Sequence, residues 1–152
     1  MFKKLTLITL AASLLSGCAS VPMENRSVSD QAKAFPTPSQ GNAGIYIYRL
    51  GGLGTALKKD LWIDGRCIGE TAPKVFFFEE VAGNMEHKIS TESEFSPNEF
   101  TLKTESGKNY FIKQYIKMGL VVGGANLKLM DEAKGMKEIS RLKMATKGKC
   151  SN

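Results

Sequence analysis

Leu61-Trp62-Ile63-Asp64-Gly65-Arg66-Cys67-Ile68-Gly69 is the stretch on which the fold turns. Apolar residues stand on both sides of Asp64-Gly65, a dipeptide suited to a two-residue hairpin because both turn positions need positive φ. The pattern predicts one strand ending at Ile63 and its antiparallel partner returning from Arg66. Toward the N-terminus, Ile45-Tyr46-Ile47-Tyr48-Arg49 is β-branched and aromatic on both faces, as a central strand should be, and Gly51-Gly52-Leu53-Gly54 breaks it.

The other direction repeats the theme. Lys74-Val75-Phe76-Phe77-Phe78-Glu79 is followed by a turn at Gly83-Asn84 and then His87-Lys88-Ile89-Ser90-Thr91. Phe100 and Leu102 alternate with Thr101 and Lys103, and Gly107-Lys108-Asn109 turns the chain into Tyr110-Phe111-Ile112-Lys113-Gln114-Tyr115-Ile116-Lys117. Leu127 and Leu129 alternate with Asn126 and Lys128. Seven or eight strands in roughly 90 residues predict an all-β fold, a small β-sandwich over residues 44–142. Asp131-Glu132 then opens a short helix with Met136, Ile139 and Leu142 on one face, although Gly135 interrupts it and residues 136–144 also read as a strand.

These features resemble the bacterial family called domain of unknown function 2846. The resemblance rests on Ile45-Tyr46-Ile47-Tyr48-Arg49, on Trp62-Ile63-Asp64-Gly65 with Ile68-Gly69, and on Ser106-Gly107-Lys108-Asn109-Tyr110-Phe111. Met118-Gly119 to Gly124, Leu127 and Asp131-Glu132-Ala133 agree with it, whereas Gly83-Asn84-Met85-Glu86 departs from a Pro-Gly-Lys type turn. The resemblance implies a lipoprotein with an immunoglobulin-like or PEGA-like sandwich, and it implies no activity.

The N-terminus points the same way by its own chemistry. Lys3-Lys4 precede an apolar run over residues 5–15, too short for a bilayer span of about 20 residues. Leu15-Ser16-Gly17-Cys18 closes it and resembles a lipobox, the processing signal of bacterial lipoproteins. That resemblance implies a signal peptide over residues 1–17, cleavage between Gly17 and Cys18, and acylation of Cys18. Ala19 stands where lipoproteins retained at the inner membrane often carry Asp, so the expected location is the outer membrane, facing the periplasm. Residues 18–43, rich in Ser, Pro, Asn and Gln, are expected to be the lipidated cysteine and a flexible tether of roughly 27 Å as a coil. Residues 143–152 form a basic tail.

Loss of Lys3 and Lys4 leaves 19 basic against 15 acidic residues. An excess of four, spread along the chain, suits a solvated surface or anionic headgroups and wall polymers, and no nucleic-acid partner is expected.

Groups for chemistry are sparse. His87 is the sole histidine and falls in an expected strand, so neither a His-based triad nor a multi-histidine metal site within one chain is expected. Glu79 and Glu80 are neighbours on a strand and point to opposite faces. Asp131 and Glu132 suit a helix start. Gly51-Gly52-Leu53-Gly54 lacks the Gly-Lys-Ser/Thr ending of a phosphate loop. No enzyme, metal or cofactor is expected.

Three features remain. Tyr46, Tyr48 and Trp62 are either core or an aromatic platform for glycans. Leu120, Val121 and Val122, bracketed by glycines, are either a strand end in the core or an exposed apolar loop contacting membrane or protein. Cys67 and Cys150 are an even pair in an oxidising compartment, open to a disulfide or to two free thiols. The functional expectation is a lipid-anchored, non-enzymatic envelope module binding an envelope protein or a wall polymer such as peptidoglycan. The alternative is an accessory subunit that joins an assembly by strand-edge pairing.

Overall fold

The computed structural model describes residues 18–151; the signal-peptide reading and Gly17 lie outside them. After a helix α1 (Arg26–Ala32), nine strands follow: β1 (Asn42–Arg49), β2 (Lys59–Ile63), β3 (Arg66–Thr71), β4 (Val75–Ala82), β5 (Glu86–Thr91), β6 (Asn98–Lys103), β7 (Asn109–Lys117), β8 (Gly124–Met130) and β9 (Lys143–Met144). A second helix, α2 (Glu132–Ile139), lies between β8 and β9. The strands form two sheets, ordered β8-β7-β1-β4-β9 and β3-β2-β5-β6. The fold is a small β-sandwich with a short helix near its C-terminus.

Asp64-Gly65 makes the expected tight hairpin, with φ of 52° and 76° and Ile63 opposite Arg66. β1 is central, parallel to β7 and antiparallel to β4. Gly83-Asn84, by contrast, joins strands of different sheets: β4 lies beside β1, and β5 lies beside β2 and β6. Asn84 takes a φ of 60° there.

Between the sheets, Ile45, Ile47 and Phe77 meet Leu61, Ile63, Ile68 and Ile89. Burial of such side chains drives the collapse at about 25 cal/mol per Å² of apolar surface. The opposite face of the five-stranded sheet is apolar too, carrying Tyr46, Tyr48, Phe76 and Phe111. A cover of Val28, Ala32, Phe35, Met136, Ile139, Leu142 and Met144 packs on it.

That cover overturns the flexible-tether reading of residues 18–43. Asn25 caps α1 by accepting from the Val28 N–H at 3.0 Å, and the Tyr46 hydroxyl donates to the Ala32 carbonyl at 3.0 Å. The Phe35 ring lies 5.3 Å from Tyr46 and 5.7 Å from Phe111. The physical reason is that the few apolar residues of this polar segment fall on one side and fill a face that would otherwise be wet. Gly135 has a matching reason inside α2: a Cβ there would stand 2.4 Å from Phe111 Cβ, so only glycine lets helix and sheet approach this closely.

The basic tail is packed on the sandwich over its described residues, 143–151. β9 pairs with β4, Met23 bridges Ala145, and the Gly148 N–H donates to the Ile68 carbonyl at 2.9 Å. Cys67 and Cys150 are joined in a disulfide across 83 residues of chain. These contacts cover the β9 and β3 edges, leaving β6 and β8 with open backbone on one side. Lys103 on β6 and Lys128 on β8 are exposed, a charge placement that discourages pairing with a second chain.

Candidate functional site

Strand direction brings three loops to one end of the sandwich. β1 and β7 run parallel and finish together, so the β1–β2 loop (residues 50–58) lies beside the β7–β8 loop (residues 118–123). β5 finishes where β2 begins, with Thr91 opposite Leu61, and adds the β5–β6 loop (residues 92–97).

The tips of these loops are apolar and exposed. Leu120 is 89% exposed, Val121 84%, Met118 82%, Phe95 79%, Leu53 62% and Val122 50%. Leu53, Leu57, Ile116, Val121 and Val122 line one shallow depression. Large apolar side chains clustered this way mark contact surfaces, whereas scattered single ones do not.

Two side chains hold the rim in shape. Glu94 accepts hydrogen bonds from the backbone N–H groups of Leu120 (2.7 Å), Val121 and Val122 (3.2 Å). Desolvation pushes its carboxyl up, but the three donors outweigh that and hold it below the usual carboxylate range. Arg49, buried beneath, donates to the carbonyls of Leu57 (2.6 Å) and Gly54 (2.5 Å), and burial lowers its pKa. The guanidinium thus clamps the β1–β2 loop from inside.

The first described residue belongs to the same neighbourhood. Cys18 is exposed with a free thiol, and the Ala19 N–H donates to the Thr55 carbonyl in the β1–β2 loop at 2.9 Å. Leu120, Val121 and Val122 are therefore an exposed loop rather than a packed strand end.

The aromatic platform does not form. Tyr46 and Tyr48 are fully buried under the helical cover, because β1 is apolar on both faces and both faces are occupied. Burial and, for Tyr48, the hydrogen bond it donates to Glu138 at 2.5 Å raise both phenol pKa values. Trp62 is half-buried in the other sheet, paired across the hairpin with Cys67.

Other polar groups are committed to structure. His87 is buried, its Nδ1 2.7 Å from Asp64 Oδ2 and its Nε2 2.8 Å from the Ala82 carbonyl. Burial raises the Asp64 pKa, but bonds from His87 and the Lys88 N–H, with Arg66 nearby, hold it below the usual value. Glu79 binds Arg66 and Lys147, while Glu80 accepts from Ser39 and Asn42 on the other face. Among the described residues, no group of three or more His, Cys, Asp or Glu could hold a metal ion. A second surface feature is a cleft of about 510 Å³ between α1 and the segment after α2, lined by Arg26, Lys33, Arg141 and Lys143 against Glu24 and Asp30.

The family described as a protein of unknown function (DUF2846) matches residues 39–125, more than half of the chain. The chain belongs to the DUF2846 family. A relative from Haemophilus influenzae, described as an uncharacterized protein, is 54% identical over 145 residues, covering 95% of this chain and 85% of the relative. No solved structure matches the chain. The DUF2846 match contains all three rim loops, whereas α1, α2 and the disulfide's second cysteine lie outside it.

Leu53, Glu94 and Phe95 are rim residues that reading the sequence for function missed. Ser93-Glu94-Phe95-Ser96-Pro97 did carry a signal: a large aromatic residue stands alone among turn-forming neighbours, where no strand pattern accounts for it.

Proposed function

We propose that the chain is a lipid-anchored, non-enzymatic module of the bacterial envelope whose sandwich binds a wall polymer or an envelope protein. Cys18 carries this reading: its thiol is free and exposed, and it directly follows Leu15-Ser16-Gly17. Acyl chains contribute about 0.8 kcal/mol per buried methylene, so two or more chains on one residue give stable attachment. The non-enzymatic part is supported by the sequestration of His87 and the acidic side chains in structural contacts. The cleft of Arg26, Lys33, Arg141 and Lys143 is the surface suited to an acidic wall polymer, peptidoglycan included, because its cations outnumber its carboxylates.

Growth on labelled palmitate tests the anchor. The wild-type chain takes up label and fractionates with the outer membrane, while Cys18→Ser takes up none and leaves the membrane fraction. Unlabelled wild-type protein overturns the reading. Isolated sacculi test the ligand: they retain the wild-type chain and release the Arg141→Glu/Lys143→Glu variant. Strand-edge assembly through β6 or β8 is the second reading; Lys103 and Lys128 restrict it to an acidic partner strand, which mild detergent extraction would reveal as a stoichiometric co-purifying partner.

A further inference from the structure

We propose that the apolar rim of Leu53, Phe95, Met118, Leu120, Val121 and Val122 seats in the membrane leaflet that holds Cys18, so that the sandwich lies directly against the bilayer. The inference rests on the lipid-anchor reading of Cys18 and specifies how the domain sits once anchored.

The first argument is where the chain enters. Only Cys18 separates an acyl anchor from Ala19, and the Ala19 N–H is tied to Thr55 in one of the rim loops. One residue spans at most about 3.6 Å, so the anchor leaves the domain beside the rim. Nor does the following segment supply slack. Val21 packs against the core, Met23 bridges Ala145, and the Glu24 N–H donates to the Met144 carbonyl at 3.0 Å. A domain held at this point turns its rim toward the lipid without paying out chain.

The second argument is the chemistry of the rim. Backbone entering an apolar medium needs its N–H groups satisfied within the protein. Glu94 does this for Leu120, Val121 and Val122 from below, leaving their side chains to face outward. The Glu94 carboxylate works against deep entry, as do the partly exposed Lys58 and Glu92 on the same loops, which limits the seat to the interfacial layer. Lys74, exposed on the β3–β4 connection, and Lys117, exposed at the end of β7, are placed to meet anionic headgroups. A protein partner on the same patch is the competing occupant, and its test follows.

Lipidated mature protein in vesicles of phosphatidylethanolamine and phosphatidylglycerol with brominated acyl chains separates these outcomes. Trp62 is replaced by Phe, and a reporter indole is introduced by Leu120→Trp, by Leu53→Trp, or at the far end of the sandwich by Met85→Trp. Leu120, Leu53 and Met85 are exposed, so these changes leave the fold intact, which a thermal melt verifies. Relative to unbrominated vesicles, emission from the Leu120→Trp and Leu53→Trp proteins falls at least about twofold, as for side chains buried in the headgroup–acyl boundary, while the Met85→Trp protein is unchanged. Equal emission in both vesicle types, with the protein still floating with the lipid, overturns the seat and leaves the anchor standing. Shielding of the Leu120→Trp indole from aqueous quencher only when an envelope protein is cross-linked to it assigns the rim to a protein and also overturns the seat. Protein without acyl chains by mass fails the anchor reading itself, and the seat falls with it.

Discussion

Thr71 on β3 donates a hydrogen bond at 2.5 Å to the side-chain oxygen of Gln114 on β7, from one sheet to the other inside the end of the sandwich that carries the rim loops. The Gln114 amide nitrogen donates in turn to the Thr91 hydroxyl at 2.7 Å. Both threonines also reach a carbonyl of their own sheet, Thr71 that of Lys59 and Thr91 that of Asp60, each at 3.0 Å.

An asymmetry between substitutions follows. Gln114→Leu removes the amide and leaves both hydroxyls satisfied by carbonyls, so it costs no more than about 1 kcal/mol. Thr71→Val strands the buried Gln114 oxygen and costs about 1–3 kcal/mol. Urea denaturation of the two variants gives the order; equal or reversed costs would show that the bond between the sheets carries no weight.

The disulfide yields a spectroscopic prediction. Trp62, the chain's one tryptophan, is the cross-strand partner of Cys67, and a disulfide quenches a neighbouring indole by electron transfer. Reduction therefore raises tryptophan emission before any unfolding. In the chain-entropy model, losing a loop closed across 83 residues costs at most about 4.5 kcal/mol. Reduced and oxidised protein are to be compared first by fluorescence under native conditions and then in urea.

Local rules made much of this fold readable. Asp64-Gly65 announces its own turn, and the two-faced apolar run of β1 requires a layer on each side. Which layers they are is not local information. Gly83-Asn84 has hairpin chemistry, yet whether the next strand pairs with β4 or crosses to the other sheet depends on β1 and β9 already flanking β4. Val28, Ala32 and Phe35 are too few to announce a packed segment; their weight comes from Tyr46 and Phe111, which need covering. The rim was half visible: Leu120, Val121 and Val122 read as core or contact, while Leu53 and Phe95 acquire meaning only when three loops from distant parts of the chain meet.

Protection of the N-terminal segment checks that cover. Amides of residues 28–35 exchange slowly, and proteases spare the segment, whereas a free tether is cut within it. Phe35→Ala costs about 2–3 kcal/mol, below the full penalty for a buried Phe because Phe35 is half-buried. Exchange as fast as in an unstructured peptide would return residues 18–43 to the role of a leash and remove the short-chain argument for the membrane seat.

Glu79 is the ionic seam between the sheets and the C-terminal strap. On β4, it receives Arg66 from β3 at 2.7 Å and Lys147 from beyond β9. Burial raises its pKa, and the hydrogen bonds and charges of Lys147 and Arg66 more than reverse that, leaving it below the usual glutamate value. A carboxylate with a depressed native pKa binds fewer protons folded than unfolded. Its contribution is therefore complete above the unfolded value and is lost as pH falls through the native one. Glu79→Gln removes the titrating group, so its stability deficit relative to wild type should be largest near neutrality and shrink as the pH drops below about 4. Screening of exposed Arg66 and Lys147 keeps the effect modest, and added salt should reduce it further. Urea midpoints measured for both proteins from neutral to acid pH decide the matter: a deficit that stays constant across that range would remove Glu79 from the acid-sensitive part of the fold.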